Sequence, residues 1–307
     1  MRVFICPPIS KCGSGVRIIF IAVIFLMAGC TWSAEHVSDD ASLLDLTDTV
    51  DLPPPGFKYD EAPLRVAIAA MTSPKETFVY YEELLHYLGE HLDRPIRMEQ
   101  RKTYQEVNDL LELEAIELAF ICTGAYLTAR EEFPVHLLGV PVIKGRNVYN
   151  AYIIANRNVS VETFSDLRGR SFAFTDPLSN SGHHFLASKL REMGESPEHF
   201  FSSTVFSGGH DYSILSVANG VVDAATVDGL VFEYMMSQQP EILRNVKVIT
   251  VSRDFGMPPI VMHGAASDSL KAAISDILFS MHEDPAGAAI LKPLLIDRFQ
   301  EARVSDY

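Results

Sequence analysis

From about residue 64 to the C terminus, short apolar runs alternate with stretches whose apolar positions recur every three to four residues. Leu64-Arg65-Val66-Ala67-Ile68-Ala69-Ala70 reads as a short apolar strand. Phe78 to Leu92, with Leu84, Leu85 and Leu88 on one face, reads as a helix. Pro95 to Gln100 predicts a second strand, Tyr104 to Leu113 a helix, Ile116 to Cys122 a third strand, and Gly124 to Arg130 the start of another helix. The pattern then repeats. Strands are expected at Tyr152 to Ala155, Ser171 to Phe174, Ser203 to Phe206, Val222 to Val227 and Val246 to Val251, with helical stretches at 182–193, 210–219 and 229–238 and a helical turn at Phe164 to Gly169. Ile260 to His263 predicts a strand, and helices near 267–282 and 285–299 close the chain. Such alternation predicts an α/β protein with mostly parallel sheets flanked by helices. Leu110 to Phe120 also echoes Leu215 to Thr226, each reading helix, short turn, then a strand of hydrophobic, acidic and small residues. The echo implies two similar lobes and pairs Cys122 with Asp228, each at the C-terminal end of its strand.

The N terminus follows a different pattern. Residues 1–17 carry Arg2, Lys11 and Arg17 and no acid, and Ile18 to Met27 is an unbroken apolar run. The run falls short of the roughly 20 residues that span a membrane but suits the core of a signal peptide. It ends in Leu26-Met27-Ala28-Gly29-Cys30, which resembles a bacterial lipobox with Met27 where Leu is commoner. The expectation is a lipoprotein signal over residues 1–29 with lipidation at Cys30; ordinary signal cleavage is the alternative. Residues 30–62, acidic and proline-bearing, read as a tether to the membrane. Of the four cysteines only Cys122 would remain free, so no intramolecular disulfide is available.

Composition narrows the function. The 307 residues, 48% hydrophobic and 21% charged, suit folded domains, two of them at ordinary domain size. A net charge of −15 excludes nucleic acid as the partner, since that footprint is basic. In open α/β sheets, ligands bind beyond the carboxyl ends of the strands. Four strand-to-helix junctions carry small hydroxyl or glycine residues there: Thr72-Ser73-Pro74, Cys122-Thr123-Gly124-Ala125-Tyr126, Asp176 to Gly182, and Phe206-Ser207-Gly208-Gly209-His210-Asp211. Helix starts with unpaired N–H groups are anion sites. Any one junction alone also fits simple N-capping; four together point to an oxyanion. The sequence lacks a Walker loop, a nucleophile elbow, a paired carboxylate motif and metal-spaced His/Cys residues, so neither an enzyme nor a cofactor is expected.

Asp176-Pro177-Leu178-Ser179-Asn180-Ser181-Gly182, Phe206 to Asp211, and Gly220 to Asp228 resemble the phosphate/phosphite/phosphonate-binding proteins of ABC importers. Lys102-Thr103-Tyr104, Thr123 to Tyr126 and Ser305-Asp306-Tyr307 fit as well, and the likeness covers about residues 63–307. The resemblance implies a two-lobed type II periplasmic binding fold with the ligand clamped between lobes. Lobe 1 would comprise 63–150 plus 254–307 and lobe 2 151–253, with hinge strands near 150–156 and 246–253. It implies a monomer in the periplasm, lipid-anchored at Cys30, that delivers a small oxyanion to an ABC permease.

The resemblance also implies roles for particular residues. Ser179, Asn180, Ser181 and Gly182 would grip the oxygens, Asn180 standing where the family commonly has Thr. His210 would donate to an oxygen and, if protonated, balance its charge. Tyr126 and Tyr149 match cleft tyrosines, and Ser73 and Thr123 lie at two of the helix starts. Asp228 would accept from a protonated oxygen or a ligand amine. His183 and His184 read as helix-surface residues that could add charge at the rim. Cys122 reads as a small buried hydrophobe. As a thiolate beside the cleft it opens a different function, a lipoprotein that senses an oxyanion or arsenite and signals to a histidine kinase.

Overall fold

The computed structural model describes residues 62–307, and the expected signal, Cys30 and nearly all of the tether lie outside them. The first part of the chain runs β1 (Leu64–Ile68), α1 (Pro74–Leu92), β2 (Ile96–Gln100), α2 (Tyr104–Glu112), β3 (Leu118–Phe120), α3 (Thr123–Glu132) and β4 (Val135–Val142). The chain crosses over through β5 (Val148–Tyr149) into β6 (Ala151–Asn156), β7 (Ser171–Phe174), α4 (Phe185–Glu192), α5 (Pro197–Phe200), β8 (Ser203–Phe206), α6 (His210–Ala218), β9 (Ala224–Asp228), α7 (Gly229–Gln238) and β10 (Val246–Val251). It returns through β11 (Phe255–Gly256) to β12 (Ile260–His263), α8 (Asp268–Ser280), α9 (Pro285–Leu291) and β13 (Arg298–Glu301).

Two sheets result, in the orders β13-β4-β12-β3-β1-β2 and β10-β6-β9-β7-β8, and the crossovers pair as the ribbon β11-β5. Each sheet is mixed rather than mostly parallel. β1 pairs parallel with β2 and β3, and β7 with β8 and β9, but the strands that enter or leave a lobe run antiparallel. The reason is topological: a chain that leaves one lobe and returns to it must lay its returning strand against the outgoing direction.

Period-two alternation decides which face each strand residue takes. In β1, Leu64, Val66 and Ile68 pack with Leu84 and Leu88 of α1 and with Ile274 and Leu278 of α8, while Ala67 faces Val107 and Leu111 of α2. In the second lobe, Phe172 and Phe174 point to one face with Leu186 and Leu190 of α4, and Ala173 points to the other with Ile214 and Val217 of α6. The inner strands of both sheets are thus covered on both sides, which explains why β3, β6 and β7 read as largely apolar runs.

The last expected helix is an error of period. Residues 285–299 form α9, which ends at Leu291, then a turn through Leu295 at φ 58°, then β13. Leu291, Ile296 and Phe299 all pack into the core, and Arg298–Glu301 pair along the free edge of β4 as a strand. β4 was not among the expected strands, and it contains Gly139 and Pro141, residues that weaken strand signals. Pro141 lies beyond Gly139, where the pairing with β12 stops, so its missing N–H falls where the strand has a single partner. The short α5 was missed as well.

Candidate ligand-binding site

The helix starts of the two sheets face one another. Asp211, on α6, accepts from the Ser73 N–H with both carboxylate oxygens at 3.0 Å, and the His210 N–H donates to the Met71 carbonyl at 2.9 Å. Asp176 accepts from the Tyr104 N–H, the first of α2, at 3.1 Å, and from the Leu178 N–H at 2.8 Å. Two second-lobe carboxylates therefore sit on the positive ends of two first-lobe helices, a charge-assisted arrangement. This alters the expectation for Ser73: its N–H is bound to Asp211 and serves contact between the lobes.

The turn after β7 carries the densest set of expected residues. Asn180–His184 form a π-helical turn, wider than an α turn and common at functional sites. Ser179 caps it, its Oγ accepting from the Gly182 N–H at 3.0 Å. A Cβ on Gly182 would lie 2.6 Å from Thr175 Oγ1 and 2.8 Å from Ser179 Oγ, so glycine is required for the turn to close on itself. Ser179, Asn180 and Ser181 are all buried. Asn180 Nδ2 donates to the Tyr149 hydroxyl at 3.2 Å, Thr226 Oγ1 donates to the Ser181 carbonyl at 2.6 Å, and Ser179 Oγ lies 4.0 Å from Cys122 Sγ. His183 and His184 turn elsewhere: His183 Nδ1 bonds the Pro177 carbonyl and its ring stands edge-on to Phe174, while burial lowers the His184 pKa.

His210 is buried at the start of α6. Its Nδ1 accepts from the Asp228 N–H at 3.0 Å and lies 3.0 Å from Thr175 Oγ1, so the proton resides on Nε2, 3.5 Å from Ser179 Oγ. Burial pushes its pKa down to about 3. His210 is thus a neutral donor, not the cationic charge partner that a protonated side chain would be. Protonation would break the bond from Asp228 and leave an uncompensated buried charge.

Asp228 and Cys122 occupy equivalent places, each capping the helix after its strand, α7 and α3 respectively. Asp228 Oδ1 accepts from the Leu230 N–H at 2.7 Å and the Val231 N–H at 3.4 Å. Burial nevertheless outweighs these bonds and raises its pKa to about 7. Burial likewise pushes the Cys122 thiol up to about 11, so it stays protonated, which opposes the thiolate that a soft ligand needs. Thr123 Oγ1 donates to the Gly256 carbonyl at 2.8 Å, tying α3 to the crossover. Tyr126 packs edge-on against Tyr307 with ring centroids 4.9 Å apart, among the apolar residues behind the site.

Two polar atoms in this region are buried without a partner: the Tyr104 hydroxyl and Ser181 Oγ. Tyr104 comes from the first lobe and Ser181 from the second. Burial first, then the nearness of Cys122, Asp176 and Asp228, holds the Tyr104 phenol well above its usual pKa, so it keeps its proton and remains a donor. Sequence reasoning assigned Tyr104 no ligand role. The only signal was its place in Lys102-Thr103-Tyr104 at a helix start, and nothing local distinguishes it from a core aromatic.

Asp228 provides a pH test of the interior. An ordinary aspartate ionises near 3.9, so between about pH 4 and 7 the folded chain holds a proton that the unfolded chain has lost. Stability therefore falls as pH rises through that window. Asp228→Asn keeps an N-capping side chain and removes the ionisation. It should stabilise the protein at pH 8 by roughly 2–4 kcal/mol, since each tenfold change in an ionisation constant is worth about 1.4 kcal/mol, and not at pH 4. Thermal melts of both proteins at the two pH values check this; equal changes at both would mean that Asp228 ionises normally.

Two lobes joined by crossovers, with a buried polar cluster where their helix starts meet, define a binding protein of the two-lobed type II periplasmic fold. A family model described as the periplasmic phosphonate substrate-binding protein of ABC transporters matches residues 66–307, and the chain belongs to that family. It is 28% identical over 168 residues to a phosphate-import protein of Mycolicibacterium smegmatis, covering 52% of this chain and 51% of that one. It is 28% identical over 150 residues to a phosphonates-binding periplasmic protein of Escherichia coli, covering 48% of this chain and 44% of that one. The matched regions thus span about half the length of these relatives. A binding-protein component of an ABC phosphonate transporter from Pseudomonas aeruginosa shares the fold, with a TM-score of 0.76 over 80% of this chain and 83% of that one, at 22% identity.

Proposed function

We propose that the protein captures a phosphonate- or phosphate-like oxyanion between its lobes in the periplasm and delivers it, as a monomer, to the permease of an ABC importer. The observation that carries this reading is the pair of buried hydroxyls without partners, Tyr104 from one lobe and Ser181 from the other. Buried donors in folded proteins almost always have acceptors, so an acceptor that bridges both lobes is called for. An oxyanion with oxygens on several sides meets that need. The neutral donors around it, including His210 Nε2 and the Ser179 hydroxyl, supply directed dipoles without a counter-charge. Family membership supports the same ligand class. Cys30, in its lipobox-like setting, would anchor the chain through residues 30–62.

Calorimetric titration with phosphate, phosphite, methylphosphonate, aminoethylphosphonate, sulfate and arsenite tests the reading. At least one phosphorus oxyanion should bind, and Cys122→Ser should keep that affinity within a few-fold, because a protonated buried thiol and a hydroxyl are close in size. Binding of arsenite alone, lost in Cys122→Ser, would replace import with sensing.

A further inference from the structure

Beside the polar cluster lies a cavity of about 430 Å³, within the range of about 300–1,000 Å³ that holds drug-sized ligands. Both lobes line it. Met71, Tyr81, Phe120 and Met257 come from the first, and Leu230 and Val231 from the second. Asp228 belongs both to this lining and to the polar cluster, where its N–H bonds His210. The cavity is therefore a continuation of the proposed oxyanion site, separated from it by one carboxyl group.

Its other charged lining residues are already neutralised. Glu233 accepts from Lys144 Nζ at 2.6 Å with one oxygen and from the Tyr152 hydroxyl at 2.6 Å with the other. Neither Lys144 nor Glu233 is thus left to attract a charged group of opposite sign, and the remainder of the wall is chiefly hydrocarbon and aromatic. A bare phosphate would leave this space to water against an apolar surface, which is unfavourable.

We propose that the cavity receives an apolar substituent of the ligand, so that the preferred ligand is an organic phosphonate or phosphate monoester with a chain or ring of about six carbons or more. The inference rests on the oxyanion reading of the neighbouring cluster. The head group would bridge Tyr104 and Ser181, the Asp228 carboxyl would meet a protonated head-group oxygen, and the tail would run between α7 and the first lobe. Contact with both lobes would make the tail, like the head, an element that favours closure.

Titration of the purified protein with inorganic phosphate, methylphosphonate, hexylphosphonate and hexyl phosphate tests the proposal, and the last two separate a phosphonate from a phosphate ester. At least one hexyl compound should bind ten or more times tighter than methylphosphonate. Leu294→Trp and Ser237→Phe, which fill the cavity from opposite lobes, should each erase that preference and leave methylphosphonate affinity unchanged. Thermal melts identify a variant that fails to fold, in which case the other decides. Methylphosphonate binding as tightly as the hexyl compounds would overturn the tail site and leave the oxyanion reading standing. A hexyl preference that survives in a folded filled variant would also overturn it. If none of the four compounds binds while phosphite or aminoethylphosphonate does, the tail site fails and the oxyanion reading stands; if no phosphorus oxyanion binds, both fail.

Discussion

Removing the Tyr104 and Ser181 hydroxyls together, as Tyr104→Phe with Ser181→Ala, should weaken binding of the best phosphorus oxyanion at least a hundredfold while leaving the melting temperature unchanged or raised. The two readouts move apart for a physical reason. Neither hydroxyl has a hydrogen-bond partner of good geometry among the described residues, Tyr104 only approaching Ser179, so deleting it breaks no strong native bond and relieves an under-satisfied buried group worth about 1–3 kcal/mol. Toward a charged ligand, each donor contributes roughly 1.5–3 kcal/mol, and two of them span the roughly 2.8 kcal/mol that a hundredfold change requires. Ser179→Ala is a useful contrast, because Ser179 also caps Gly182, and its loss should cost stability as well as affinity. Titration calorimetry with melts of the ligand-free protein checks both halves. Native affinity in the double variant would place the ligand elsewhere.

Gly124→Ala should have a comparable effect by another route, namely geometry. Gly124 lies in the first turn of α3, where the facing turn of the second lobe presses on it. A Cβ there would overlap the Leu178 carbonyl oxygen and lie 2.8 Å from the Asn180 nitrogen. Both are backbone atoms of the segment that carries Ser179, Asn180 and Ser181, so no side chain can swing aside. Alanine is the better helix former by about 1 kcal/mol, so α3 itself should not suffer. The strain falls instead on the approach of the lobes. Affinity should drop at least a hundredfold, with unchanged far-UV circular dichroism and a more open solution envelope in small-angle scattering with ligand. A Gly124→Ala protein that closes and binds normally would show that the lobes do not need this contact.

An acidic chain proposed to hold an anion poses an electrostatic problem. Under that proposal the gathered donors, hydroxyls and the His210 Nε2–H, would resolve it by being local and neutral. Two acids at the interface, Asp211 and Asp176, are turned onto the helix starts of α1 and α2, which offsets part of their charge, although burial still raises the Asp176 pKa. Asp228 likewise caps a helix, α7, accepting from the Leu230 and Val231 N–H groups, but burial outweighs these bonds and its raised pKa leaves it partly protonated near neutrality.

Elements whose signals are local were legible in the chain. Ser203–Phe206, Val246–Val251, Ile260–His263 and Gly229–Gln238 end where alternation, helical period and capping residues end them, because those signals act over neighbouring residues. The equivalence of Cys122 and Asp228 as caps of matching helices was likewise written in a repeated local pattern. What depends on distant partners was not. β13 exists because β4 offers an edge, and β4 tolerates Gly139 and Pro141 because of where its neighbours stop. The assignment of the Ser73 N–H to Asp211, 138 residues away, needed both lobes in place. The neutral state of His210, the high pKa of Asp228 and the orphaned hydroxyl of Tyr104 all arise from burial between lobes. Residue type states what a side chain can donate or accept; only the tertiary structure decides whether water, protein or ligand is left to answer it.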